Sequence, residues 1–531
     1  MKYTKDDTIH IVGAGASGIS SAYFLIESGH DPKKIYIYEK TNRIGGHLCT
    51  IYFHVLSATD CRIISEYELK NEGEKIYIKF KDHNKKNQVI DLDSDNIVPA
   101  DMLATVHGRE KFHNLYTMAK HTDLLPFLLD DGQHYTTSCV MEDGIHKTSY
   151  SKNPLWWRHL YRTHIMLKKI YSLDAKIYMH YNPQLSYGEL LRYLDIKFDD
   201  PALTAHHSTI PCLFALSIDQ IYNVDAKIIS ESTESIMGNY NKSFTKYGFN
   251  VYIILLAEKL KAKGVAIELN YDYFKNNYNN YTNNINASTP KHLIYSCQPW
   301  YLPNELQENP IIKPYATNYT EGDCMITHNK FGLDESCINY IFKDNNQYGI
   351  ADLDKMRVSK KDTGAYIMAQ ATHIYPVFPE SEQKKYKHIY DFYNTHNLNF
   401  HEIDGVKRIG IKHTNCNVIS RKIDNIQGTY LHGDNGPCVW FSNATYNYLI
   451  HEGSWECSMD IICKMTGEEQ MLVKKGYQNK HSRARIIPNP PKNILEELIS
   501  YPPTYAVLLL ILIYGFNQKK IKNLLKRFKY K

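Results

Sequence analysis

Three glycines, Gly13, Gly15 and Gly18, stand in the stretch GAGASG, and an acid, Glu39, follows 26 residues after the first of them. That spacing predicts a side-chain-free turn feeding a helix, whose leading N–H groups and positive dipole end suit a pyrophosphate. Gly13 allows the tight turn, Gly15 lets phosphate approach the backbone, and Gly18 lets helix and strand pack closely. Ala14, Ala16 and Ser17 complete the loop. Glu39 is placed to accept hydrogen bonds from an adenosine ribose, and a carboxylate there argues against a 2′-phosphate and so against NADP. A second set follows in EKTNRIGGH, which supplies Lys40, Arg43, Gly45, Gly46 and His47.

The elements that must hold these residues are legible around them. TIHIV is an apolar strand, ISSAYFLIESG is apolar at helical spacing and stops at Gly29, and KKIYIYE is a second strand ending in the acid. This βαβ context makes a glycine fingerprint informative, although NAD dehydrogenases satisfy it equally. The second set separates them. An acid, a base, an arginine and a glycine pair after the second strand resemble the flavoprotein superfamily of amine oxidases and phytoene-type desaturases. The resemblance implies FAD as the cofactor. FAD reaches far beyond its pyrophosphate, so a second glycine turn is needed near the ribityl chain, with Arg43 adding positive charge beside the diphosphate.

It also implies an α/β architecture, a Rossmann-type FAD-binding domain with an inserted α+β substrate domain. The cofactor segments are expected at 1–75, 226–300 and 431–470, the substrate domain at 76–225 and 301–430, and a linker with an apolar and basic tail at 471–531. KYGFNVYIILLAEKLKAKGVAIELN resembles the superfamily's glycine–helix–strand return, and KHLIYSCQPWYLP its following strand and crossover. CVWFSNATYNYLIHEGSWECSMDIICKM resembles the last return. His47 and His451–Glu452–Gly453 match a poorly characterised FAD/NAD-binding branch, and Gly453 and Trp455 join the cofactor-facing set. Where the superfamily carries a Gly-acid pair that holds the ribityl chain, this chain has Ser442 and Asn443. Asn443 can hydrogen-bond a ribityl hydroxyl without charge. Cys457 and Ser458 stand for a usual Ser-Gly, expected at the start of the last helix.

No catalytic group stands out. His47 and His451 either influence the flavin or merely pack; Cys416 lacks the surroundings of a flavin attachment site; Trp156–Trp157 read as packing; His206–His207 lack partners for a metal. Helices are expected within 96–125 and over SYGELLRYLDI, and 373–411 reads as strand, loop, helix and strand. A net charge of +5 over 531 residues gives no argument for nucleic acid. Eleven cysteines without a CxxC give neither a zinc site nor a disulfide framework. With no apolar leader core before the first strand, an intracellular, cytoplasmic location is expected. Near the other end, TYAVLLLILIYGF is 13 residues without charge, followed by NQKKIKNLLKRFKYK with seven bases and no acid. That run is short for a spanning helix, so 498–531 is expected either to make peripheral membrane contact or to pack as a core helix. The reading is an FAD-dependent oxidoreductase taking hydride from an amine or lipid-like small molecule. The alternatives are a flavin isomerase or mutase, or a membrane-associated FAD-binding protein without turnover.

Overall fold

The computed structural model describes residues 3–478, without 148–164, 198–221, 231–241, 278–289, 354–367, 376–408 and some shorter stretches. Trp156, Trp157, His206, His207, Cys416 and the 498–531 tail lie outside the described residues, as does the helix expected between 373 and 411. The chain forms two units, 1–477 and 478–531, and the architecture below is that of the first.

Every residue of β1 (Ile9–Val12) is buried, as an inner parallel strand covered on both faces requires. Gly13, at φ +109°, turns the chain into α1 (Ala16–Glu27), and β2 (Ile35–Tyr38) follows. An antiparallel insertion comes next. In it β3 (Thr50–Val55) pairs with β4 (Cys61–Ile64) on one side, while β5 (Glu68–Glu72), β6 (Lys75–Lys81) and β7 (Asn87–Asp91) form a meander. β8 (Ile97–Asp101) covers the other side of β3. Two expectations change here. NIVPAD is strand, not helix: Ile97 and Val98 are β-branched, and Pro99 sits on an edge strand, where its missing N–H does least harm. Glu72 also pairs with Lys75 within one hairpin, so a domain boundary between 75 and 76 would cut the meander.

Among the described residues of that stretch, the α-helix is α2 (His113–His121), near its end. β9 (Thr136–Glu142) and β10 (Ile145–Lys147) precede α3 (Leu173–Tyr181) and α4 (Tyr187–Tyr193), the last started by a Ser186–Glu189 capping box. α5 (Phe249–Lys263) runs between Gly248 and Gly264, both at positive φ; the left-handed Gly264 lets the Val265 N–H reach the Leu260 carbonyl and close the helix. β11 (Ala266–Glu268) and β12 (His292–Tyr295) follow. Then come β13 (Tyr319–Asn329), β14 (Cys337–Lys343), β15 (Tyr348–Leu353), β16 (Met368–Tyr375), β17 (Ile409–Thr414) and β18 (Cys438–Phe441). α6 (His451–Thr466) and α7 (Glu469–Lys474) close the unit. Buried Tyr477 shares a 2.7 Å hydrogen bond with buried Tyr23 of α1, so the linker starts after 477 rather than at 471.

β11–β2–β1–β12–β18 form one wholly parallel sheet. Strand order reverses direction at β1, the topological switch point where open α/β sheets bind ligands beyond the strands' carboxyl ends. Apart from it, a mixed seven-stranded sheet runs β10–β9–β14–β15–β16–β13–β17.

Candidate dinucleotide site

The first glycine turn lies at that switch point. The Gly13 N–H donates to the Tyr38 carbonyl (2.8 Å), which pins the turn to β2. α1 opens on Gly15 with neither a side-chain cap nor an acid in its first turn, so its leading amides present their N–H groups to an anion. A Cβ on Gly18 would overlap the Gly13 carbonyl oxygen, so Gly18 is required by packing. Gly15 differs: its φ is −78°, and a Cβ there would meet nothing nearer than Gly46 Cα at 3.7 Å. Ala14 is buried, and its N–H donates to Glu39 Oε2 (2.9 Å). Glu39 Oε1 accepts from the Thr41 N–H (2.9 Å) and hydroxyl (2.8 Å). These three bonds leave Glu39 about one of its four acceptor positions for a ribose hydroxyl.

The second glycine turn is built against the first. The Gly45 N–H donates to the Ala14 carbonyl (2.9 Å), and Gly15 and Gly45 form a parallel bridge. Gly45 and Gly46 take φ +124° and +58°, and a Cβ on Gly46 would come within 3.1 Å of Gly15 Cα. Arg43 clamps this turn, donating to the carbonyls of Gly46 (2.6 Å) and Leu48 (3.3 Å). Asn250 in α5, with its amide oriented to satisfy both ends, donates to the carbonyls of Ile44 (3.1 Å) and Leu48 (2.9 Å). Half-buried His47 is pushed down to about 4 by desolvation and by the Arg43 guanidinium, so its imidazole is neutral at pH 7. Exposed Lys40 pairs with Asp272 (3.3 Å) and turns towards the returning segment.

The last return corrects the expected picture. α6 begins at His451, so Cys457 and Ser458 sit well inside the helix and not at its start. Ser458 lies where α6 crosses α1. Its hydroxyl meets Ser20 Oγ (2.8 Å), Ser442 Oγ (2.9 Å) and the carbonyls of Ser17 (2.9 Å) and Ser454 (2.8 Å). Ser442 Oγ in turn meets Ser21 Oγ (3.0 Å). Four buried hydroxyls thus join α1, the end of β18 and α6. Asn443, expected to face the ribityl chain, is engaged locally: Nδ2 donates to the Ser296 carbonyl (3.2 Å) and Oδ1 accepts from the Thr445 N–H (3.0 Å). One amide hydrogen remains for any ligand. Gly453 is buried in the first turn of α6. Trp455 is fully buried and stacks on Phe249 of α5, with ring centroids 6.2 Å apart.

Two buried polar atoms here have no partner, Ser296 Oγ and Trp455 Nε1. Ser296 directly follows β12 and packs on Gly13, whose Cβ position would lie 3.2 Å from the Ser296 carbonyl carbon. An unsatisfied buried hydroxyl at the switch point, on a residue whose backbone packs against the first side-chain-free turn, fits a dinucleotide. Burial pushes the neighbouring Cys297 thiol up to about 12, so it is not a thiolate near neutrality. Asn250, Ser296, Ser20 and Ser21 escaped the sequence reading, as did the contact between Ser442 and Ser458. The glycine–helix return in which Asn250 sits was the only signal for it. Among the described residues no three of His, Cys, Asp or Glu gather as a metal site requires, and no helix is long and apolar enough to cross a membrane.

Residues 11–59 match the family NAD(P)-binding Rossmann-like domain, the class defined by the turn–helix geometry. No curated protein matches the sequence. Among solved structures, the chain is similar to a CLA-producing fatty acid isomerase from P. acnes, with 12% identity and a TM-score of 0.52 over 87% of this chain and 99% of that one. It is also similar to cyclohexylamine oxidase from Brevibacterium oxydans, with 11% identity and a TM-score of 0.50 over 88% of this chain and 100% of that one. The chain thus has a segment, 11–59, that matches the Rossmann-like family and a fold similar to that of these two structures.

Proposed function

We propose that the chain is an FAD-dependent oxidoreductase that removes hydride from an amine or lipid-like substrate. The observation that carries this reading is the pairing of two side-chain-free turns, with Gly15 bridged to Gly45 at the carboxyl end of β1. A single turn suffices for a pyrophosphate; a second one continues the cleared backbone surface towards the longer remainder of a flavin dinucleotide. The α1 amides would hold the diphosphate, Glu39 a ribose hydroxyl, and Ser296 and Trp455 would find the partners they lack. When bound, the flavin supplies the hydride acceptor. The chain's part is to fix it, keep water from it and align the donor. Of the two fold neighbours, one is named as an oxidase of an amine and the other as an isomerase of a fatty acid, and the proposed substrate classes draw on both names.

The absorption spectrum of the purified protein tests the proposal. Bands at about 370 and 450 nm, those of flavin itself, and their bleaching by candidate donors are expected. A colourless protein that takes up no added FAD refutes it. A second reading, flavin binding without turnover, draws on Asn443, which brings no charge to the ribityl position and already spends both ends on the backbone. A flavin that stays oxidised under every donor would favour it.

A further inference from the structure

Large apolar side chains exposed to solvent are concentrated in one place. Among the described residues there are nine, and five of them, Ile165, Leu173, Ile177, Tyr181 and Tyr193, fall between 165 and 193. Three lie on α3 at intervals of four, with Leu173 54%, Ile177 47% and Tyr181 77% exposed. That interval puts them on one helix face, one above the other. Ala175 and Met179, offset from them by two residues, are the side chains α3 buries in the protein. α3 is thus apolar on both faces, although only one of them packs. Tyr193 of α4 borders the stripe, stacked on Tyr178 at 3.6 Å with its hydroxyl donating to Asp174 (3.2 Å), so the acid beside the stripe is already engaged.

The charge of the segment that carries the stripe indicates what covers it. Residues 165–197 hold five bases, Lys168, Lys169, Lys176, Arg192 and Lys197, against three acids, Asp174, Glu189 and Asp195. Exposed apolar side chains in a segment with an excess of lysine and arginine suit the boundary between acyl chains and anionic headgroups. The same chain carries a second element of that composition, the uncharged run 504–516 followed by seven bases. Stable peripheral anchoring generally takes two such signals, one alone being marginal.

We infer that the Leu173–Ile177–Tyr181 face of α3 seats on an anionic lipid bilayer. The inference is independent of the redox reading, and flavin content serves as its internal control. The full-length protein is mixed with phosphatidylcholine vesicles made with or without phosphatidylserine, and the bound fraction is read by co-sedimentation. The parent protein is expected to bind the phosphatidylserine vesicles preferentially and to lose binding as salt rises. Leu173→Asp combined with Ile177→Asp should weaken partitioning about tenfold or more, since both side chains leave the acyl boundary. Its melting curve and flavin content should match the parent's, because neither residue packs in the core. Leu173→Ser with Ile177→Ser, which adds no charge, should show the same trend. A serine variant that binds as the parent does, or a parent that binds neither vesicle, overturns the inference. So does a parent that is dimeric in solution without binding lipid and that the variant makes monomeric, because the face would then join two copies of this chain.

Discussion

Gly15 and Gly18 sit three residues apart in one fingerprint, yet the structure assigns them different physical jobs, and a methyl group tells them apart. A Cβ on Gly18 would overlap the Gly13 carbonyl oxygen and come within 3.1 Å of the Gly13 carbonyl carbon and 3.4 Å of Ile11 Cγ2. Neither backbone partner can move without breaking the bond from the Gly13 N–H to Tyr38, so Gly18→Ala should destabilise the protein by about 3 kcal/mol, the upper range for overpacking. Gly15 has an ordinary negative φ, and its Cβ would find only van der Waals neighbours at 3.7–4.0 Å. Gly15→Ala should therefore cost the cofactor-free protein only about 0.5–1 kcal/mol, the difference between glycine and alanine at a helix N-cap. The same methyl group stands where a diphosphate approaches the backbone, and a lost close contact of about 3 kcal/mol lowers FAD affinity about a hundredfold. Urea midpoints of the cofactor-free proteins and FAD titrations followed by flavin fluorescence separate the two effects. Gly15→Ala that binds FAD as tightly as the parent would refute the assignment of this turn as the diphosphate cradle. Gly15→Ala as unstable as Gly18→Ala would refute the packing argument.

Two further outcomes follow from the buried polar groups. Ser458→Ala removes one hydroxyl from four close partners and should cost about 1–3 kcal/mol in urea unfolding; Ser442→Ala combined with it should cost less than the sum, since the two hydroxyls share a bond. Additive losses would show that the lattice is not one unit. Acidification should act through His10 and His30, which burial pushes down to about 4. The fold favours their neutral forms, so their contribution is whole above the unfolded value of about 6.5 and is lost as pH falls from there towards 4, about 3 kcal/mol each. Unfolding measured between pH 7.5 and 4.5 should show that slope, with a shallower one in His30→Gln; an unchanged slope would mean His30 does not titrate on unfolding.

The parallel core and the first turn were legible because their signals are local. A buried run such as IHIV, a glycine triplet and a terminal acid each act through the neighbouring few residues, and the strand–turn–helix–strand order follows from them. The antiparallel insertion was less legible. NIVPAD carries apolar residues that suit either period, and what decides for strand is pairing with Thr50–His54, over forty residues away. Asn250 and Ser296 were missed for a related reason. Each acts on a turn more than 200 residues distant in sequence, and no local pattern marks an amide or a hydroxyl for that work.

Ser442 and Ser458 look, in sequence, like two unrelated departures from glycine. In the fold they touch each other at 2.9 Å and reach Ser20 and Ser21 on α1, so they form one substitution in space. Glycine at both places would leave Ser21 Oγ without the partner it has on β18, and serine at one alone would bury a hydroxyl with fewer partners than its burial requires. The same region explains Asn443. An acid in its place would carry a charge beside the Ser296 carbonyl, where Asn443 supplies a donor instead. Position 443 thus supplies an uncharged cross-tie between the ends of β12 and β18. Any dinucleotide seated here would depend chiefly on its other end, where Glu39, the amides of α1 and the paired glycines converge.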